Sequence, residues 1–225
     1  MDKITISEIN TAEALRYMGA GDSVPQGAFR DTVEESQRRL LECISPSYTY
    51  RVVPIEDISA ESVTFAGITA DSRDLSEMLS ECHTVVLMCA TLGAKADNLI
   101  RRLQTEDMAK AVAADALASA AVEQVCGKFD EMLAAKYPGS FFTMRFSPGY
   151  GDLPLEFQKT LLAVLDSARR TGITLNSSGL MSPMKSVSAI CGMADKPLPQ
   201  KISGCVRCKM KETCAFRKRG MRCGS

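Results

Sequence analysis

Apolar residues recur at helical spacing in some stretches of the chain and alternate, or run unbroken, in others. Asn10 can cap a first helix with Leu15 and Met18 on its inner side, ended by Gly19 to Gly21. Thr32 and Glu35 have capping-box spacing, and Val33, Leu40, Leu41 and Ile44 form the stripe of a second helix that Pro46 stops. Residues 48–53 and 63–69 read as strands, separated by a loop rich in acids and serine, and 71–82 as a short helix. The unbroken apolar run 84–90 predicts a strand buried on both faces. Ala, Met, Leu and Val with interspersed charges make 106–135 the longest predicted helix. A third amphipathic helix over 155–170 turns Leu161, Leu162 and Leu165 inward and closes at Thr171-Gly172. Residues 173–175 and 186–191 are strand candidates flanking the loop 176–185, with Ser186 and Ser188 able to bond each other or a ligand.

The stretch RFSPGYGDLP, residues 145–154, concentrates candidate chemistry. Over 141–146 the alternation puts Phe142, Met144 and Phe146 on one face of a half-buried strand and Thr143 and Arg145 on the other, so Arg145 should point away from the packed side. Pro148-Gly149 then turns the chain, and Gly149 tolerates positive φ and leaves bare backbone open to a ligand. Tyr150 follows, and Asp152 can cap a helix that Pro154 helps to open. A guanidinium beside a positive helix end suits a carboxylate. The plainer alternative is a solvated arginine on an ordinary strand, turn and helix.

The spacing Arg145-x-x-x-Gly149-Tyr150-x-x-x-Pro154 resembles the S-adenosylmethionine motif of the activation domain of cobalamin-dependent methionine synthase. Downstream, TGITLNSSGLMSPMKSVSA (171–189) is similar to the same domain's Thr-Gly turn, short strand, Met-x-Pro segment and Ser-Val-Ser run. This resemblance covers roughly residues 140–190 and implies an α+β fold, with a twisted, mainly antiparallel sheet flanked by helices. It implies binding of S-adenosylmethionine and reductive methylation of an oxidised cobalamin carried by methionine synthase or another corrinoid protein. A flavodoxin or ferredoxin-like protein would donate the electron. Arg145 would hold the ligand carboxylate, backbone around Pro148 and Gly149 would hydrogen-bond it, and Tyr150 would pack beside it. The chain also departs from the family. Asp115, Ser119 and Glu123 share one helix face, but the family's ribose-contacting acid falls at Ser119, so Glu123 or Asp115 would have to substitute. Lys196-Pro197-Leu198-Pro199 stands where the family has an aromatic near the adenine.

Composition adds a tail. The 225 residues are formally neutral, yet the last 25 carry eight Lys or Arg and one acid, Glu212, a charge of +7; the remainder, 19 basic against 26 acidic, is −7. Cys205, Cys208, Cys214 and Cys223 fall there as C-x2-C-x5-C-x8-C, a spacing suited to tetrahedral zinc or an iron–sulfur cluster, with redox-active or unliganded thiols as the third reading. The expected division is therefore 1–200 as an S-adenosylmethionine-binding domain and 201–225 as a basic metal-binding tail. Cys43, Cys82, Cys89, Cys126 and Cys191 sit in apolar segments and read as small core residues. No apolar run reaches the roughly 18 residues of a membrane span, and the N-terminus lacks a leader pattern, so a cytoplasmic setting is expected. His83, the single histidine, reads as structural. A zinc-stabilised interaction module and a ligand-sensing corrinoid-protein chaperone are the competing readings. The tail has only Phe216 for stacking, which argues against nucleic acid.

Overall fold

The computed structural model describes residues 3–20, 24–198 and 212–213. The chain divides into two compact units, the first comprising Met1–Tyr50, Met88–Pro138 and Leu161–Ser188, the second Arg51–Leu87, Gly139–Thr160 and the described residues from Ala189 onward. Among the described residues, eight strands, β1 (Ser47–Ile58), β2 (Ser62–Phe65), β3 (Ile68–Asp71), β4 (Thr84–Thr91), β5 (Phe141–Phe142), β6 (Thr174–Leu175), β7 (Met181–Ser182) and β8 (Ser186–Ala194), form a six-stranded sheet of order β3-β2-β1-β4-β8-β5 and a separate β6-β7 pair. The mixture of helices with antiparallel pairings is the α+β class expected. No helix among the described residues is long and apolar enough to cross a membrane.

The first unit is built on α5 (Met108–Lys136), against which α1 (Thr11–Tyr17), α2 (Gly27–Cys43) and α4 (Ala94–Glu106) pack. Buried Ala111, Ala113, Ala114, Ala118, Ala120 and Ala121 give α5 a thin surface that neighbours can approach closely. The predicted helix 106–135 is α5, which starts just after Asp107, the residue that separates it from α4. The Asp107 N–H donates to the Leu103 carbonyl at 2.8 Å to finish α4, while its carboxylate accepts from the N–H groups of Ala109 (3.0 Å) and Lys110 (3.2 Å) to start α5. The helix α4 was missed, although buried Ala96, Leu99, Ile100 and Leu103 carry its periodicity. Asn10 caps α1 as expected, accepting from Glu13 N at 3.1 Å. Thr32 does not cap α2, which already begins at Gly27; its hydroxyl donates one turn back to Ala28 O at 2.8 Å. Tyr48 and Tyr50, in β1 (Ser47–Ile58), meet Phe129 edge-on at centroid distances of 5.6 and 5.4 Å.

In the second unit the stretch expected as one strand over 63–69 is a hairpin, β2 (Ser62–Phe65) and β3 (Ile68–Asp71), because Ala66 and Gly67 both adopt positive φ. The short helix is α3 (Arg73–Leu79), capped by the Ser72 hydroxyl, which accepts from Leu75 N at 3.0 Å. The buried strand is β4 (Thr84–Thr91). Expected as one helix, 155–170 becomes α6 (Phe157–Val164) and α7 (Ser167–Thr171), parted at Asp166 in the left-handed region with φ 51°. Within the first unit, β6 (Thr174–Leu175) pairs with β7 (Met181–Ser182), which occupies the expected loop. Asp107→Ala should lower unfolding free energy by about 1 kcal/mol, the usual worth of such a cap, read as a lower denaturation midpoint at unchanged m-value.

Candidate functional site

The predicted strand 141–146 survives only as β5 (Phe141–Phe142), paired with β8 (Ser186–Ala194). Thr143 still meets Gly192, its N–H donating to Gly192 O at 3.0 Å and its hydroxyl accepting from Gly192 N at 2.8 Å. Pairing then resumes between Phe146 and Ile190, with three steps on one side against two on the other. This extra residue is a bulge, and it reverses the alternation beyond it. Met144, expected on the packed face, is accordingly 62% exposed, and Arg145, expected to point out, is half-buried.

The turn that follows closes on itself. Gly149 N–H donates to Leu153 O (2.9 Å), Tyr150 N–H to Ser147 O and Leu153 N–H to Tyr150 O (both 3.0 Å), around the buried side chain of Leu153. Gly149 adopts φ +91°, as the sequence requires, and Pro148 is buried while Tyr150 is 70% exposed. The Gly149 and Tyr150 N–H groups are thus used within the turn.

Asp152 does not cap the helix after Pro154, which starts later, at Phe157. Its carboxylate instead accepts from the Ser72 hydroxyl and from the N–H groups of Arg73 (2.9 Å) and Asp74 (3.3 Å), at the start of α3. Partial burial alone would raise its pKa; the hydrogen bonds outweigh that and hold it below the ordinary carboxylate value. Sequence reasoning missed Gly151, whose φ is +53° and whose absent Cβ leaves room for the Asp74 carboxylate. The GYGD run, two glycines spaced before an acid, is the signal that could have flagged it.

Glu123, the remaining ligand candidate, lies in the first unit on α5. There it lines an open cavity of about 620 Å³ together with Asp115 and Ser119, so the three residues of the predicted helix face are indeed gathered. Lys185, which sequence reasoning passed over, shares the cavity; its ammonium lies 2.9 Å from Asp115 Oδ1 and 3.0 Å from Ser119 Oγ. Ser186 is engaged within the protein, its hydroxyl donating to Pro183 O (2.7 Å) and meeting Thr91 Oγ1 (2.8 Å). Tyr17 on the same wall has its pKa pushed up to about 12, first by burial, then by the hydrogen bond to Glu13 and the negative charges of Glu13 and Glu123. His83, half-exposed, is bonded to Thr84 Oγ1 (2.7 Å) and Asp195 (2.9 Å). Cys89, Cys126 and Cys191 are buried, whereas Cys43 and Cys82 are only partly so. The metal-ligand candidates Cys205, Cys208, Cys214 and Cys223 lie outside the described residues.

Residues 80–198 match the family model described as vitamin B12 dependent methionine synthase, activation domain. The fold is similar to a crystal structure of the MetH reactivation domain bound to AdoHcy, with a TM-score of 0.58 and 14% identity over 94% of this chain and 82% of that one. No curated protein matches the chain.

Asp152→Ala should lower the denaturation midpoint at neutral pH. A carboxyl with a depressed folded pKa stabilises above its unfolded value, about 4, and loses that contribution as pH falls through the folded value. The gap between wild type and variant in urea titrations is therefore expected to narrow below about pH 4.

Proposed function

Because the chain belongs to the activation-domain family of vitamin B12-dependent methionine synthase, we propose that it binds S-adenosylmethionine and supports reactivation of an oxidised cobalamin carried by methionine synthase or a related corrinoid methyltransferase. The observation that carries this reading is the turn after Arg145. Gly149 has a left-handed backbone with no Cβ beside a half-buried arginine and an exposed tyrosine, in the residue order of the family motif. That the MetH domain of similar fold is bound to AdoHcy, the demethylated product, supports the choice of ligand.

In this reading the Arg145 guanidinium takes the ligand carboxylate, bidentate geometry favouring arginine there. The carbonyls of Pro148 and Gly149 accept from the ligand ammonium, and Tyr150 covers the ligand with its ring. The cobalamin substrate supplies the difficult chemistry: one electron reduces cobalt(II) to cobalt(I), and the sulfonium methyl passes to cobalt with release of S-adenosylhomocysteine. No side-chain acid or base takes part, so the chain contributes positioning. The electron comes from a flavodoxin or ferredoxin-like donor, in a cytoplasmic setting that keeps thiols reduced.

We keep 1–200 as the ligand-binding domain and 201–225 as a tail in which Cys205, Cys208, Cys214 and Cys223 hold an iron–sulfur cluster or zinc. Anaerobic metal analysis with an absorption spectrum should return about one zinc, or iron with visible charge-transfer bands, per chain. Protein that carries neither after anaerobic purification and metal supplementation would remove the metal assignment.

Calorimetric titration of S-adenosylmethionine is expected to saturate with wild type and to weaken at least about tenfold with Arg145→Ala, at little cost in stability. Equal affinity in both proteins would withdraw the carboxylate role from Arg145. Binding without cobalamin methylation in a reconstituted assay would turn the reading into one of ligand sensing.

A further inference from the structure

We infer that Thr143 is a positioning residue for Arg145: its hydroxyl holds the bulge in the second unit that turns the arginine inward, where the guanidinium takes the ligand carboxylate. The inference deepens the reading above and rests on it for the identity of the ligand. Its physical basis is the accounting of one backbone N–H. A regular antiparallel ladder running on from the Phe142–Met193 pair would exchange two backbone hydrogen bonds between Thr143 and Gly192. One of them is made, from Thr143 N–H to Gly192 O at 3.0 Å. The Gly192 N–H donates instead to the Thr143 hydroxyl at 2.8 Å, and that hydroxyl donates in turn to Met144 O at 3.0 Å. Gly192 is buried, so its N–H has to be met inside the protein. With a side-chain oxygen standing in for the backbone carbonyl, the chain can leave the ladder after Thr143 and rejoin it at Phe146, which is bonded to Ile190 in both directions at 2.9 Å.

The methyl group of the same side chain fixes where the hydroxyl points. A Cβ on Gly192 would lie 3.0 Å from Thr143 Cγ2, 2.5 Å from Cys82 Sγ and 2.6 Å from Leu79 Cδ2, so the Thr143 methyl packs into space that only a glycine leaves. A β-branched side chain has few χ1 choices, and with its methyl seated there the oxygen is held on the Gly192 N–H. The competing arrangement is the regular register. In it the Gly192 N–H takes the Thr143 carbonyl, residue 145 rather than 146 stands opposite Ile190, and the alternation returns Arg145 to the outer face and Met144 to the packed one. Loss of the hydroxyl removes the partner that the bulge gives the Gly192 N–H and leaves the partner that the regular register gives it. The balance therefore moves toward the register in which Arg145 faces away.

The test is calorimetric titration of S-adenosylmethionine into wild type, Thr143→Val, Thr143→Ser, Arg145→Ala and the double variant Thr143→Val with Arg145→Ala, with thermal melts to establish that each is folded. Thr143→Val, which keeps the shape and loses the hydroxyl, is expected to bind about tenfold more weakly, and Thr143→Ser, which keeps the hydroxyl, to stay within about threefold of wild type. Because Thr143 acts through Arg145, the double variant is expected to bind no more weakly than Arg145→Ala alone, a non-additivity that a general loss of stability would not produce. If Thr143→Val fails to fold, Thr143→Ala, also without the hydroxyl, takes its place in both comparisons. Wild-type affinity in the folded Val or Ala variant, a Ser variant as weak as the Val variant, or a further tenfold loss in the double variant would each overturn the role of Thr143 and leave the S-adenosylmethionine reading standing. Absence of binding by wild type would overturn both.

Discussion

A carboxylate seated on the start of α3 sets the geometry of the candidate turn. Asp152 accepts from the Ser72 hydroxyl and two backbone N–H groups, while Gly151 next to it has no Cβ to keep Asp74 away. Neither feature works without the other. A side chain at 151 would drive the two segments apart, and without Asp152 the first N–H groups of α3 would have to be satisfied by water. The same pair of contacts changes the electrostatic meaning of the corner. The start of α3 already holds a carboxylate from the protein, so it offers no open positive end to a ligand.

In the first unit the corresponding constraint is steric. Three helices pack on α5, and its run of alanines lets them come close enough to bury it on most sides. What they leave uncovered is a line one turn apart, Met108, Val112, Asp115, Ser119 and Glu123, which becomes the cavity wall. The polar groups on this line stand where no neighbouring helix covers them, and Lys185 bonds two of them, Asp115 and Ser119. The open line is thus a consequence of how the helix packs, before any ligand is considered.

How much of this could be read from the sequence depends on how local the cause is. Asn10 as a cap, the buried run that became β4, the glycine demanded at 149 and the face shared by Asp115, Ser119 and Glu123 all follow from residues a few positions apart, and all were legible. The bulge opposite Gly192 was not, because an extra residue shows only against its partner strand; it alone moved Met144 out and Arg145 in. Asp152 had the composition of a local cap and found a helix start some 80 positions earlier in the chain. The helix 106–135 was legible as α5, whereas α4 before it was not: Asp107 parts the two, its N–H closing the helix before and its carboxylate opening the one after. Lys185 looked like an isolated charge in a small-residue run, and its two partners lie 70 and 66 positions away.

The titrating groups point in one chemical direction. Among the described residues, every resolved shift moves a group further from neutrality: burial raises Cys89 to about 11 and Tyr17 to about 12, and Cys43 rises for the same reason. Asp152 is lowered against its own burial by hydrogen bonds, Glu35 is lowered by Lys110, and Lys196 is raised by Glu81. A general acid or base works best with a pKa drawn toward the working pH, which is the opposite displacement. These groups therefore hold fixed charge states through the physiological range, which suits binding and orientation. A sulfonium ligand brings an activated methyl and its own leaving group, and a reaction of that kind asks a protein for placement rather than for a proton.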